Sequence, residues 1–189
     1  IRVGRFGYEG ETWSALDCPG SVEFLQRSRD ALLAADAAVI VVPADPDAGV
    51  LAAPYIRAVE AAGTPAVIFV NKVDEPRGRM RDVVAGLQQY ASHVVILRQI
   101  PIREGERVVG AVDLVSERAW RYREGERSQL VKIPESALER EHEARDEMLE
   151  HLSDFDDWLL EEIVEDHAPP EGPVYAICAR VLAENRALP

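Results

Sequence analysis

Cysteine is almost missing from this chain. Cys18 and Cys178 are the two among 189 residues, 160 positions apart. They supply neither a disulfide framework nor a thiolate metal cluster, and they suit a reducing cytosol. Long apolar runs are missing as well. The longest, Ala37-Ala38-Val39-Ile40-Val41-Val42, has the length of a buried strand, far short of the roughly 18 residues of a membrane span. No initiator Met and no signal-peptide pattern precede the first strand-like segment. The chain ends at Ala187-Leu188-Pro189, which reads as entry into something apolar. Both ends look cut, so a piece of a longer protein is expected. What remains is ordinary for a globular fold: 47% apolar residues exclude wholesale disorder, and the length fits one sizeable domain or one with a small appendage.

Positive charge is also short, with 21 Lys and Arg against 34 Asp and Glu and a net charge of −13. The imbalance is concentrated between Glu139 and Asp166, where 13 acids meet two Arg, a net of −11. A bare phosphate backbone would be repelled there, which excludes a nucleic-acid clamp and argues against a DNA partner. The segment reads either as solvated helix faces or as a docking surface for a basic partner.

Along the chain, 1–8 and 12–17 are strand-like, and Glu9-Gly10-Glu11 supplies the turn of a hairpin. A helix is expected over 21–35, with Ser21 available as its N-cap. Strand 37–42, helix 50–62 stopping at Gly63, strand 66–70, helix 79–90 and strand 94–97 follow. Apolar strands alternating with helices imply a doubly wound α/β domain whose parallel sheet is covered on both faces. After Arg98 the rhythm changes. Segments 99–103 and 107–115 flank the turn Glu104-Gly105-Glu106, and 119–122 and 129–133 add strands. Acidic helices over 135–152 and 155–167 follow, then a Pro-rich break and a last helix over 174–184. The expected division is a partial core over 1–97, an inserted α+β subdomain over 98–168, and a return helix with the start of a core strand over 169–189.

Two motifs carry chemistry: Asp17-Cys18-Pro19-Gly20 and Asn71-Lys72-Val73-Asp74. Both are expected at carboxyl ends of parallel strands, where an open α/β sheet binds ligands. Asp17 can hold Mg²⁺ through water, because Mg²⁺ takes hard oxygen ligands and keeps part of its hydration shell. Gly20 leaves its backbone N–H open to a phosphate oxygen. The Asp74 carboxylate can accept two hydrogen bonds from the N1–H and exocyclic amine of guanine, a donor pair that adenine lacks. Lys72 would lie along the base plane, and Asn71 would tie neighbouring loops together. Each motif arises by chance in such a chain on the order of a few per cent of the time. Asp-x-Pro-Gly also makes good turns, so the first motif alone is the weaker signal.

Leu16-Asp17-Cys18-Pro19-Gly20-Ser21-Val22-Glu23-Phe24 resembles the switch II segment of elongation factor G. Phe69-Val70-Asn71-Lys72-Val73-Asp74 resembles its guanine-recognition strand and loop. Ile100-Pro101-Ile102 and Val109-Gly110-Ala111-Val112-Asp113-Leu114-Val115 resemble the start of the subdomain inserted in that factor's GTPase domain. The resemblance implies a P-loop-NTPase-like, mostly parallel sheet, incomplete here, with a small α+β insert. It implies GTP or GDP and Mg²⁺ as cofactors, and a cytoplasmic protein that couples nucleotide state to the ribosome. By resemblance the acidic insert would meet the ribosomal stalk protein.

The departures from the family matter equally. The phosphate-binding loop Gly-x-x-x-x-Gly-Lys-[Ser/Thr] is absent, since no Gly-Lys pair occurs in the chain, and the first switch is missing. The chain alone is therefore expected to bind nucleotide weakly at most. Ser21 stands where the family carries a His that positions the attacking water, and a plain N-cap is its other reading. That puts normal hydrolysis in doubt and keeps open a non-hydrolysing paralogue that acts as a ribosome- or protein-binding module. Cys18 replaces a Thr and reads as a small buried thiol. His93, His142, His151 and His167 show no ligand spacing. Trp13, Trp120 and Trp158 are expected as core or interface anchors.

Overall fold

A computed structural model describes residues 1–75 and 78–189. The chain opens with a hairpin, β1 (Arg2–Tyr8) paired antiparallel with β2 (Glu11–Asp17). Its turn holds Glu9 at φ 49° and Gly10 at φ 85°, the doubly left-handed geometry that matches the twist of two short-looped strands. Nearly every hairpin residue is exposed, and neither strand joins another sheet among the described residues.

A single 3-10 turn over Val22–Phe24 leads into α1 (Leu25–Leu32), so the expected helix over 21–35 is shorter and starts irregularly. Next come β3 (Ala38–Pro43), α2 (Ala48–Ala62), β4 (Ala66–Asn71), α3 (Met80–Gln88) and the two-residue β5 (Val94–Val95). The strands β3 and β4 run parallel, from Ala38 opposite Ala66 to Pro43 opposite Asn71. Gly63 closes α2 at φ 67°, its N–H bonding back to the Val59 and Glu60 carbonyls. Ile40, Val42 and Ala66 pack under Ala52, Ile56 and Val59 of α2 and Val83 and Leu87 of α3. The opposite face of these strands is bare: Val39, Val41 and Phe69 are 62%, 60% and 56% exposed. α2 and α3 lie on the same side, so among the described residues the doubly wound α/β fold shows helices on one face of β3 and β4.

Four antiparallel strands follow in order: β6 (Gln99–Glu104), β7 (Arg107–Asp113), β8 (Arg118–Arg121) and β9 (Gln129–Val131). At Gly110 an added Cβ would overlap the Trp120 carbonyl oxygen, so glycine lets β7 and β8 close. The 19-residue α4 (Glu135–Ser153) lays Ala137, Glu141, Ala144, Met148, Leu149 and Leu152 inward. Spacings of three and four, with Met148 and Leu149 side by side, put the other acids of the helix outside. Then come α5 (Asp157–Val164), capped by the Asp156 carboxylate accepting from Leu159 N–H at 3.1 Å, and α6 (Glu171–Ala183). Ile100, Ile102, Val112, Leu114, Met148, Leu152, Leu159 and Val174 form one continuous core. Arg145 braces it from inside, donating to the carbonyls of Leu114, Val115 and Pro169 and pairing with Glu117 at 3.3 Å.

The chain finally returns as β10 (Ala187–Leu188), parallel to β5. Ile68 N–H donates to the Pro189 carbonyl at 2.8 Å, and Ile96 N–H to the Leu188 carbonyl at 2.9 Å. This sets β10 between β4 and β5 and gives the strand order β3-β4-β10-β5. Among the described residues no helix is long and apolar enough to cross a membrane. The three tryptophans are not core residues: Trp13, Trp120 and Trp158 are 52%, 37% and 37% exposed. Each sits on a strand or helix face that nothing else covers fully.

Candidate functional site

The second motif lies where strand chemistry places it. Asn71 is the last residue of β4, at the carboxyl edge of the parallel pair. Its Oδ1 accepts the Lys72 N–H at 2.9 Å, and its carbonyl accepts the Ala44 N–H at 3.0 Å. The Asn71 backbone thus joins β4 to the loop that follows β3, while its side chain bonds within its own loop. Lys72 adopts φ 55°, a left-handed angle uncommon for a residue with a Cβ, and its carbonyl accepts the Glu75 N–H at 3.0 Å. A tight turn results, and Asp74 is exposed at its rim. Among the described residues the Asp74 carboxylate has no hydrogen-bond or ion-pair partner, which leaves both oxygens open to a donor pair from solution.

Helix α3 begins shortly after this loop. Arg79 and Asp82 fold back on each other, Arg79 Nε donating to Asp82 Oδ2 at 3.0 Å and Arg79 N–H to the same oxygen at 3.3 Å. The guanidinium hydrogen bond holds the Asp82 carboxyl below the usual carboxylate range. This pair fixes the start of α3 and so the downstream anchor of the loop. Sequence reading passed over it, although Asp three residues after the cap position is a helix-start signal.

The first motif is placed differently from expectation. Asp17 ends β2, whose hydrogen-bonded partner is the antiparallel β1, so among the described residues it does not stand at the end of a parallel strand. The hairpin expected over 1–17 forms, and among the described residues β2 takes no parallel neighbour beside it. Asp17 and Gly20 are both exposed, with Cys18 and Pro19 partly buried between them. Cys18 is therefore half-covered, not the buried thiol expected, and both cysteines are free. Ser21 has the extended backbone of an N-cap, φ −91° and ψ 136°, and its carbonyl accepts the Phe24 N–H at 2.9 Å. Its hydroxyl makes no capping bond. The two motifs lie on separate sheets, and no hydrogen bond joins them among the described residues. Nor does any group of three or more His, Cys, Asp or Glu side chains there form a metal site.

Comparisons with known proteins extend this geometry. The family description "Elongation factor Tu GTP binding domain" matches residues 1–179. An "Elongation factor G-like protein" of Synechocystis is 36% identical over 189 residues, all of this chain and 28% of its own length. The mitochondrial elongation factor G of Drosophila mojavensis is 30% identical over 92% of this chain and 24% of its own. A crystal structure of a Thermus thermophilus protein superposes with a TM-score of 0.84 at 28% identity, over 99% of this chain and 28% of that one. The chain thus spans about a quarter of the length of the relatives it matches. Profile, relatives and fold agree, and the chain belongs to the elongation factor Tu GTP-binding domain family, as an elongation-factor-G-like member with a P-loop-type α/β fold.

Proposed function

We propose that the chain forms the central part of the GTPase domain of an elongation-factor-G-like translation factor, coupling its bound nucleotide, GTP or GDP, to ribosome contact. The observation that carries this reading is the 71–74 loop, with its left-handed Lys72 and an exposed Asp74, without a partner among the described residues, at the carboxyl edge of β4. Asn71, Lys72 and Asp74 read guanine. Changing Asp74→Asn in the full-length protein tests it: GTP binding should fall by at least about a hundredfold, as expected when a paired polar site is left unmatched. Xanthosine triphosphate, which accepts where guanine donates, should be taken up instead. An unchanged preference for GTP would remove the guanine assignment.

Mg²⁺ fits this reading as a shared ion. Asp17 is an exposed carboxylate with no partner among the described residues, one hard oxygen donor of the kind Mg²⁺ uses through water. Phosphates would supply further ligands, and the Gly20 N–H would approach the terminal phosphate.

Ser21 favours a second reading, a factor-site binder without efficient turnover, because a hydroxyl cannot replace an imidazole in reach or charge. Single-turnover hydrolysis with ribosomes decides it: a slow wild type accelerated by Ser21→His supports the binder, and a fast wild type removes it. The acidic outer faces of α4 and α5 are proposed to meet the ribosomal stalk protein. Stalk affinity indifferent to reversal of Glu139 and Glu150 would end that assignment.

A further inference from the structure

Gly49, Gly78 and Gly86 keep backbone angles that any residue adopts, so flexibility does not explain them. Gly86 even occupies the body of α3, where glycine is a poor helix former. What the three share is closeness. A Cβ on Gly86 would overlap the Pro46 carbonyl oxygen, and one on Gly49 would overlap the Gly86 carbonyl oxygen. A Cβ on Gly78 would stand 2.8 Å from Pro46 Cγ and 3.2 Å from Cδ. Pro46 is thus a knob seated in a notch between Gly78 and Gly86.

The knob engages both flanks of the 71–74 loop. Upstream, Ala44 of the same segment donates its N–H to the Asn71 carbonyl, and Pro43 stands opposite Asn71 in the ladder. Downstream, Gly78 lies four residues after Asp74, and Gly86 sits in the helix the loop feeds. Between these two holds, no side chain among the described residues steers the Asp74 carboxylate. Its placement follows from where the backbone of the loop is held.

We propose that Pro46, Gly78 and Gly86 act together as the positioning device of the base-reading loop, setting the register of Asp74 against guanine. This rests on the guanine reading given above. A carboxylate that accepts two parallel hydrogen bonds must be held within about half an ångström, and wedging α3 from Pro46 would exceed that. The outer of the two bonds, to the exocyclic amine, would suffer along with the inner. Inosine lacks that amine and depends on Asp74 for one bond only, so it has less to lose.

The test is calorimetric binding of GDP and inosine diphosphate to the full-length protein, with thermal melting as a check on folding. Gly86→Ala and Gly78→Ala should each weaken GDP about tenfold or more. Inosine diphosphate should weaken less, so the ratio of the two affinities shrinks. Pro46→Ala removes Cγ and Cδ, and combined with Gly78→Ala it should bring GDP affinity back to within about threefold of wild type. A purely structural role would lower the melting point and leave the ratio alone. The proposal is overturned if GDP and inosine diphosphate weaken by equal factors, if neither changes, or if the Pro46→Ala combination restores nothing. Should Gly86→Ala fail to fold, the Gly78 and Pro46 pair carries the same test. A wild type without preference for guanine would instead defeat the reading of the 71–74 loop, and the knob with it. A wild type that prefers guanine beside variants that keep its ratio would defeat the knob alone.

Discussion

In the stretch from β6 to α6, the small sheet carries α4 against one face, and Val112, Leu114 and Val115 are 0% exposed. In the pair β3 and β4, side chains alternate between a covered face, with Ile40 and Val42 at 8% and 3%, and a bare one, with Val39 and Val41 at 62% and 60%. Both regions are written with similar apolar residues, but only the first brings its own cover. A strand apolar on both faces is suited to a sheet with helices on both sides. The residues proposed to read guanine belong to the half-covered region, and those of the acidic surface belong to the closed one. The half with the 71–74 loop thus leaves one strand face bare among the described residues, whereas the stretch from β6 to α6 packs both its sheet and its helices into one core.

The largest expected effect sharpens that contrast. Leu114→Ala in the 189-residue chain should lose about 3 kcal/mol of unfolding free energy, the usual cost of a core cavity. Val41→Ala should lose less than about 0.5 kcal/mol, as surface changes do. In the full-length protein the cost of Val41→Ala should rise to about 1 kcal/mol, because the face would be covered there. Urea melts on both lengths measure this. Equal costs for Val41→Ala in the two would mean that the bare face stays bare, and the contrast would lose its meaning.

Much of this was legible in the residues. Glu9-Gly10 and Glu104-Gly105 announced hairpins through turn chemistry, and the amphipathic spacing of α4 announced its buried face. The 71–74 loop followed from a strand that ended in polar residues. Longer-range pairing was not legible: nothing local says that β2 takes no second neighbour among the described residues, or that two residues at 187–188 slot between β4 and β5. Those contacts are long-range, and period-two patterns are identical whichever neighbour is chosen. Arg145 escaped for a related reason, since on sequence it is one more charge in an acidic helix, and only the carbonyls of 114, 115 and 169 reveal its use. Gly86 left a signal that could have been read: a glycine within a helical pattern implies close approach.

A smaller effect tests how tightly the core beneath α4 is closed. Glu141 is 1% exposed on α4, and its Oε1 has no hydrogen-bond partner among the described residues. Burial foremost, then the charges of Glu117 and Asp146, push its carboxyl above the usual range, while His142 and Arg145 pull the other way. The folded state therefore holds this proton more firmly than the unfolded chain does. Its contribution to stability is greatest below the ordinary carboxylate range and is lost as pH rises through the raised value. Glu141→Gln keeps the shape and removes the charge. It should stabilise the chain at pH 7 by about 1 kcal/mol and leave little difference near pH 4. A variant destabilised equally at both pH values would show that the carboxylate is satisfied and the core less closed than described.

The smallest effect concerns the seam between the regions. Arg81 of α3 reaches Glu143 at 3.3 Å and Glu147 at 3.8 Å on α4, with all three side chains at least half exposed. Ile96 and Ala187 belong to the core of the β6–α6 stretch while Val95 and Leu188 belong to that of the parallel sheet. A buried pair of short strands thus shares both cores, and an exposed ion pair spans the same gap. Burial should dominate, because exposed pairs contribute little and salt screens them. Arg81→Ala should cost no more than about 0.5 kcal/mol at low salt and nothing measurable in about 1 M salt. A loss above about 1.5 kcal/mol that vanishes in salt would make charge the joint between α3 and α4. The boundary between the regions would then be polar and separable, and β10 would be a passenger in a seam held from outside.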